Sequence, residues 1–287
     1  MMKKSLSFMQ DGIDMVRQIR RIRRGDSPGI PRDELLRAYI KVQCKYLQSK
    51  YLGGKQEPPA EILGYRFDFT DYHNFWFLFH EIFLSQDYHF TTDNDRPYIL
   101  DCGSNIGSSI LYFKKIFPRA IIEGFEPFDH AFHVLKRNVD VNHLQDVTVH
   151  KLALSARKGS DRLFYDPSNP GSSVRSLHRE SAEDAASIAV ETTTLSSYIN
   201  RTVDFLKMDI EGAEIAVMQE LHDAQKLSLI QKAAIEYHHH IEKDKDCLSR
   251  LLHILEQNNF GYHMHGILGH PRWRGQAQGI MIYAYRK

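Results

Sequence analysis

Tyr98-Ile-Leu-Asp-Cys-Gly-Ser-Asn-Ile-Gly107 is a short apolar run that ends in an acid and then breaks into two glycines. The stretch after it, residues 108–117, carries apolar side chains at helical spacing. This pattern predicts a strand, a tight turn and a helix. We expect Gly103 and Gly107 to let the backbone approach a ligand, and the free N–H groups of the helix start to point at it.

The acid at the end of this strand indicates the charge of the ligand. A pyrophosphate-binding turn has the pattern Gly-x-Gly-x-x-Gly, which clears space for an anion. Here Asp101 stands where a pyrophosphate would be repelled, which disfavours an NAD-binding enzyme. S-Adenosylmethionine (SAM) carries a sulfonium and an ammonium but no phosphate, so the motif favours SAM, with an ordinary strand-to-helix turn as the alternative.

Two later apolar runs also end in acids. The run at 120–126 ends in Glu126, about one βα unit after Asp101, where a carboxylate can bind a ribose diol. The run at 203–208 ends in Asp209, which we place on the ligand edge of an open α/β sheet. Glu214 follows at the start of a predicted helix, and we interpret it as an acid that the helix dipole stabilises.

These motifs together resemble the FkbM family of SAM-dependent methyltransferases. The most specific match is Lys207-Met-Asp-Ile-Glu-Gly-Ala-Glu214. The resemblance covers roughly Gly64 to the C-terminus. It implies an α/β fold with a Rossmann-like class I methyltransferase sheet, mostly parallel with an antiparallel last strand. We therefore predict a helical N-terminal appendage over residues 1–60 and a methyltransferase domain over residues 61–287.

The resemblance also implies a cofactor site. The chain offers eight candidates for it: Asp101, Gly103, Ser104, Asn105, Gly107, Glu126, Ala153 and Asp209. We expect a third strand over Val147–Leu154, whose end contacts adenine in this fold. By the same likeness Tyr88 or Phe90 covers the cofactor, unless these aromatic rings belong to the core.

The predicted chemistry is O-methylation of a sugar or natural-product hydroxyl, and it needs a group that takes the hydroxyl proton. Residues 233–240 predict a strand on which Glu236, His238 and His240 share one face. We assign His238 as the general base, with Asp209 and Glu236 orienting it. Alternatively Asp209, Glu236 and His238 hold Mg²⁺, which lowers the pKa of the hydroxyl, or they form a hydrogen-bonded trio that shapes the pocket.

Two loops add weaker candidates. A turn-rich loop at 166–173 contains Ser172 and Ser173, which by resemblance approach the site. A second loop, between two predicted C-terminal strands, carries cationic and aromatic groups that can bind a sugar or an anion: His270, Arg272, Trp273 and Arg274.

The N-terminal 60 residues are basic, with thirteen lysines and arginines against six acids. An amphipathic helix over 6–19 ends in a cluster of arginines at 17–24. We interpret these arginines as solvent-facing groups that complement the helix dipole. Docking to anionic lipid, to a polyanionic substrate or to an acidic partner is the alternative, and a lid or a homodimer contact is our expectation for the whole segment.

Composition limits the remaining possibilities. The 287 residues carry a net charge of +1 and three cysteines, which show neither a disulfide framework nor zinc spacing, so we expect a cytoplasmic protein. Neither a signal peptide nor a membrane-spanning run is visible. The near-zero charge argues against a nucleic-acid partner and hence an RNA methyltransferase. An N-methyltransferase for an amine or a protein, and a SAM-binding scaffold without catalysis, stay open.

Overall fold

The fold comes from a computed structural model, which describes residues 2–25, 29–54, 56–165, 175–176, 186–239, 247–266 and 278–287. The helices are α1 (Met2–Arg24), α2 (Arg32–Leu52), α3 (Tyr72–Phe79), α4 (Ser108–Ile116), α5 (Asp129–Val141), α6 (Glu214–Asp223) and α7 (Leu248–Gln257). The strands are β1 (Ala60–Ile62), β2 (Tyr65–Phe67), β3 (Tyr98–Cys102), β4 (Ile121–Phe125), β5 (Val147–His150), β6 (Ala153–Leu154), β7 (Gly159–Tyr165), β8 (Arg175–Ser176), β9 (Ala186–Thr193), β10 (Val203–Met208), β11 (Ile230–His239), β12 (Phe260–Gly266) and β13 (Gln278–Arg286).

A seven-stranded sheet forms the centre, in the order β12-β13-β11-β10-β3-β4-β5. The strands from β11 to β5 pair in parallel, and β13 pairs antiparallel with both β11 and β12. This confirms the predicted mostly parallel sheet with an antiparallel last strand. The chain runs outward from β3 in one direction and from β10 in the other, so the strand order reverses between them. Open α/β sheets bind ligands at the carboxyl ends of the strands at such a reversal.

Alternating side chains of the central strands enter two separate cores. Ile99 and Phe205 lie in the core formed with α2 to α5, whereas Leu100 and Leu206 lie in the core formed with α6 and α7. Both faces of the sheet are therefore covered by helices, which explains why β3 is buried at every position and reads as a continuous apolar run.

The prediction of one strand over Val147–Leu154 is wrong at its end. Strand β5 ends at His150, and Ala153–Leu154 pairs in parallel with β9 in a second, four-stranded sheet of order β6-β9-β7-β8. Apolar side chains recur on both sides of the break, so hydrophobicity alone does not reveal the change of partner.

The N-terminal residues share the main core. Leu35, Tyr39 and Val42 of α2 are at most 1% exposed and pack in the same apolar cluster as the rings of α3. Residues 60–67 form the β1–β2 hairpin, and helix α3 continues into a π-helical turn at His80–Ser85. None of the helices in the described ranges is long and apolar enough to cross a membrane. The proposed boundary near residue 60 stays a prediction.

Candidate active site

A cleft of about 610 Å³, partly open to solvent, lies at the carboxyl ends of β3, β4 and β10. One side is apolar and includes Leu152, Ala153 and Leu154. The opposite side carries the carboxylates of Asp209 and Glu211. A ligand that fills this cleft meets an apolar wall at one end and negative charge at the other.

The glycine turn after β3 is shaped by packing against the protein itself. Gly103 has a φ of +83°, as predicted, and a Cβ on it would lie 1.8 Å from the carbonyl oxygen of Asp209. A Cβ on Gly107 would lie 2.6 Å from Leu135. Both glycines thus let the turn contact β10 and α5, and that they also make room for a ligand stays a prediction. Gly103 nevertheless lines the cleft.

Asp101 and Ser104 lie beneath this turn rather than on the cleft surface of the described residues. Asp101 is fully buried and accepts a 2.6 Å hydrogen bond from Ser109, while Ser104 donates to the carbonyl oxygen of Asp101. The register places Asp101 beside Lys207 on β10, with 3.5 Å between Oδ1 and Nζ. In this structure Asp101 supports the turn through buried contacts.

Lys207 is a site residue that the sequence analysis left unassigned. Lys207 is 2% exposed, and its ammonium group donates to the carbonyl oxygen of Gly103 at 2.6 Å and lies 3.5 Å from the carboxylate of Asp209. Burial favours the neutral amine, but the charges of Asp209 and Asp101 outweigh it and raise the pKa of Lys207. The sequence signal for a role of Lys207 in the site was its position beside an acid in the motif Lys207-Met-Asp209.

Glu126 is held in place on the cleft wall. Its Oε2 accepts from the backbone N–H of Asn105 at 3.0 Å, and its Oε1 accepts from that of Phe128 at 2.8 Å. Asn105 has a φ of +48°, which aims its N–H at this carboxylate. Both residues line the cleft, so the structure brings together two of the predicted cofactor residues, Asn105 and Glu126.

His238, on β11, lies at the acidic end of the cleft with a carboxylate on each ring nitrogen. Nδ1 is 2.9 Å from Oε1 of Glu214, and Nε2 is 3.2 Å from Oε2 of Glu211. Asp209 and Glu236 lie 3.9 and 4.0 Å from the same Nε2. Ionised carboxylates only accept hydrogen bonds, so this geometry favours a doubly protonated imidazolium.

Burial and the neighbouring charges at this end of the site shift the pKa values of its ionisable side chains. Burial alone would lower the pKa of His238, but the hydrogen bond to Glu214 and the charges of Glu211 and Asp209 raise it to about 11. Burial and the neighbouring carboxylates raise the pKa of both Glu211 and Glu236, although His238 opposes them. Glu211 and Glu236 therefore hold their protons to higher pH than an ordinary glutamate does.

Glu214 was interpreted from sequence as a residue favoured by the helix dipole, and that interpretation is incomplete. It is 1% exposed, and its Oε1 accepts from His238 and from the backbone N–H groups of Ile210 and Gly212. Glu214 therefore orients His238, a contact between α6 and β11 that local sequence does not show.

Comparison with known proteins identifies the chain. The sequence model described as the Methyltransferase FkbM domain matches residues 101–264, more than half of the chain. The chain belongs to the FkbM methyltransferase family. It is therefore a methyltransferase, and SAM is the methyl donor expected for this fold.

Two fungal methyltransferases are similar in sequence. Methyltransferase sdnD of Sordaria araneosa is 30% identical over 191 residues, which are 56% of this chain and 73% of the relative. Methyltransferase 1 of Beauveria bassiana (strain ARSEF 2860) is 28% identical over 180 residues, which are 56% of this chain and 72% of the relative.

Two of the solved structures that match this chain are the following. Methyltransferase FkbM from Methylobacillus flagellatus KT superposes with a TM-score of 0.46 at 17% identity over 96% of this chain, which spans 60% of that protein's length. TYW2 of M. jannaschii, in complex with AdoMet, gives a TM-score of 0.44 at 13% identity over 82% of this chain and 89% of that one.

The residues of this FkbM methyltransferase fit SAM in charge and polarity. The apolar wall suits an adenine ring, Glu126 presents a fixed carboxylate, and Asp209 and Glu211 suit a cationic group. A dinucleotide would place phosphates against the same carboxylates, which disfavours it. Of the eight predicted cofactor residues, five line the cleft: Gly103, Asn105, Glu126, Ala153 and Asp209.

Tyr88, in the segment before β3, belongs to the main core and contacts the site from below. Tyr88 donates a 3.4 Å hydrogen bond to Oδ2 of Asp209, and its ring lies 5.2 Å from the ammonium of Lys207. Phe90, the other residue predicted to cover the cofactor, stacks on Phe205 with 4.2 Å between ring centroids and belongs to the core.

Burial and the charges of Glu236 and Asp209 raise the pKa of Glu81, on the π-helical turn, to about 8.

The metal prediction is altered in one ligand. Asp209, Glu211 and His238 each offer a donor atom within 4.8 Å of the others, so Glu211 takes the place we gave to Glu236. Several other candidates lie outside the described residues: His240, Ser172, Ser173 and the loop with His270, Arg272, Trp273 and Arg274.

Proposed function

We propose that this FkbM methyltransferase transfers a methyl group from SAM to a hydroxyl of a sugar or of another natural product. The observation that supports this proposal is the carboxylate-rich site around His238, which adjoins the cofactor cleft at Glu211 and Asp209. A neutral hydroxyl is a poor nucleophile, so O-methylation needs a group that accepts its proton.

In this proposal the cofactor is held by groups of different chemistry. Glu126 accepts hydrogen bonds from the ribose diol, Leu152 to Leu154 contact the adenine ring, and Asp209 stabilises a positive charge. When bound, SAM supplies an electrophilic methyl group on sulfur. The chain's own residues orient the acceptor oxygen in line with that group, which accounts for most of the rate in such a displacement.

We further propose that a carboxylate rather than His238 takes the acceptor proton. Because Nδ1 and Nε2 of His238 both face carboxylates, the imidazole has no lone pair left to accept a proton. Glu211 borders the cleft and contacts Nε2, so it is our assignment for the base. His238 holds Glu211 in position, and Glu214 fixes the ring of His238.

A divalent ion is the second candidate arrangement, favoured by the convergence of Asp209, Glu211 and His238. Carboxylate oxygens and an imidazole nitrogen whose second nitrogen bonds a carboxylate are ligands suited to Mg²⁺ or Mn²⁺. Titration of the metal-free protein with Mn²⁺, followed by electron paramagnetic resonance, tests this arrangement. Binding that is lost in His238→Gln and Glu211→Gln supports it, and binding that is unchanged in both variants contradicts it.

The methyl transfer is tested in two steps. Calorimetric titration with SAM and S-adenosylhomocysteine should show micromolar binding. SAM with a labelled methyl group, offered with sugars, glycosides, amines, RNA and protein, should then yield a product methylated on oxygen. No binding of SAM contradicts the cofactor assignment, and methylation only on nitrogen contradicts the acceptor assignment.

The base is tested with two neutral variants. Glu211→Gln should lower kcat by about 10²- to 10⁴-fold, the usual contribution of a general base, and should abolish the acid limb of its pH profile. His238→Gln should lower kcat less and keep that limb. If His238→Gln lost the acid limb of the pH profile and Glu211→Gln kept it, His238 rather than Glu211 would be the base.

A further inference from the structure

The N-terminal helix α1 has two apolar faces, and among the described residues one of them packs against the rest of the chain. Met15 and Ile19 pack against the main core, and Ile22 is 5% exposed. Asp11 secures the same side, since its Oδ2 accepts from Lys50 at 2.7 Å and from Tyr51 at 2.6 Å. The orientation of α1 on α2 is therefore set by contacts that leave its other side outward.

The outward side carries an apolar stripe followed by arginines. Met9, Ile13 and Val16 are 64%, 46% and 47% exposed, and their spacing of four and three residues places them in one line. Arg20 and Arg24 continue that line at steps of four residues. We call this set, together with Arg23, the outer face of α1.

The arginines of the outer face are not used by the fold. Arg20, Arg23 and Arg24 are exposed, and none of the three forms an ion pair with another of the residues that the structure describes. Arg17, in contrast, pairs with Asp14 at 3.2 Å. The outer face thus combines unpaired positive charge with apolar side chains.

We propose that the outer face of α1 docks the enzyme on the surface of a bilayer that contains anionic phospholipid. Apolar side chains beside arginines on one helix face are what a helix needs to lie in a membrane interface, with the arginines at the phosphates. The proposal does not depend on the methyl-transfer reaction.

The charge and the side-chain types of the outer face favour an anionic bilayer over a second copy of the chain or a nucleic acid. A second copy of the chain packed through the same face would add only aliphatic and arginine side chains, so it would leave the arginines without a counter-charge, which disfavours the homodimer contact that we expected from sequence. A single-stranded nucleic acid is bound through aromatic side chains as well as cations, and the outer face offers only aliphatic ones. An anionic lipid surface satisfies both the charge and the apolar stripe.

Vesicle sedimentation of the full-length protein tests the proposal. The protein should bind vesicles of phosphatidylcholine with phosphatidylserine and should not bind phosphatidylcholine alone, and salt should weaken the binding. Arg20→Gln, Arg23→Gln and Arg24→Gln together should reduce binding about hundredfold, at roughly fivefold for each arginine. Ile13→Asn with Val16→Asn should reduce it at least about tenfold.

A matched control removes three exposed positive charges elsewhere: Lys136→Gln, Arg157→Gln and Lys158→Gln. This control should bind vesicles as the wild type does, and thermal melts should show that all variants fold. Equal weakening by the control and the α1 variants, or absence of vesicle binding by the wild type, overturns the proposal. So does light scattering that shows a dimer converted to monomer by Ile13→Asn with Val16→Asn.

Discussion

Lys207 donates a 2.6 Å hydrogen bond to the carbonyl oxygen of Gly103 and thereby ties the end of β10 to the glycine turn after β3. The two strands are neighbours at the point where the strand order of the sheet reverses. The same ammonium group lies 3.5 Å from Asp101 and from Asp209. One buried cation thus bridges two acids and holds the turn that borders the cleft.

Replacing Lys207 by Met should destabilise the protein by about 3–5 kcal/mol, because it leaves buried carboxylates without their cation. The free energy of unfolding, measured by urea denaturation, gives this number. Lys232→Met is the matched control: Lys232 lies on the neighbouring strand but donates to the exposed carbonyl of Thr91. We expect the control to change stability by less than about 1 kcal/mol. Equal losses in the two variants would contradict the role of Lys207.

Gly103→Ala should prevent stable folding or cost more than about 4 kcal/mol, because its Cβ would collide with the carbonyl oxygen of Asp209. The variant Gly64→Ala is the control that distinguishes the steric collision from backbone strain. The φ of Gly64, +84°, is nearly the same as the +83° of Gly103, but nothing lies within 4 Å of a Cβ placed there. Gly64→Ala should therefore cost only about 1–2 kcal/mol in thermal or urea unfolding. Similar costs at both positions would refute the packing explanation.

Glu126→Gln should weaken SAM binding by about 10- to 100-fold, the usual worth of hydrogen bonds to a charged group. An amide also cannot accept both backbone hydrogen bonds that now fix the carboxylate. Glu123→Gln tests a carboxylate of the same strand that bonds Tyr98 and His150. Calorimetry should give this control the wild-type affinity, and an unchanged affinity of Glu126→Gln would remove Glu126 from the cofactor site.

His80 should make the protein less stable in acid. Burial lowers its pKa from 6.5 to about 4, and its Nε2 is buried without a hydrogen-bond partner among the described residues. The unfolded chain gains a proton below pH 6.5 that the folded chain takes up only near pH 4, so stability is present above pH 6.5 and falls between these values. We expect a loss of about 2 kcal/mol between pH 7 and pH 4.

The measurement for His80 is urea denaturation as a function of pH. His80→Phe keeps an aromatic ring beside Trp76, whose ring centroid now lies 4.3 Å away, and should flatten the dependence between pH 4 and 6.5. The exposed His253→Asn variant controls for the loss of one histidine. A dependence that stays steep in His80→Phe would assign the acid sensitivity to another group.

The strands that end in acids could be predicted from sequence because each is a local pattern. Burial makes β3 a continuous run of buried positions and β4 and β10 mostly apolar ones, and the acids Asp101, Glu126 and Asp209 mark where these runs end. The parallel sheet with its antiparallel last strand followed from the order of these runs and from the family resemblance. The break between β5 and β6 did not, because apolar side chains recur on both sides of it and the pairing of Ala153 with β9 is a long-range contact.

The amino-acid sequence by itself determined which residues stand at the cofactor edge of the sheet, since strand ends and glycine turns are set by neighbours in the chain. Only the tertiary structure decided what those residues contact. Asp101 meets Lys207 through the register of β3 and β10, and His238 meets Glu214 and Glu211 through the packing of α6 on β11. Which group a carboxylate contacts across strands depends on the strand register and on the placement of helices, which are long-range properties of the fold. The contact in turn decides whether the carboxylate is available to a ligand or orients a neighbouring side chain.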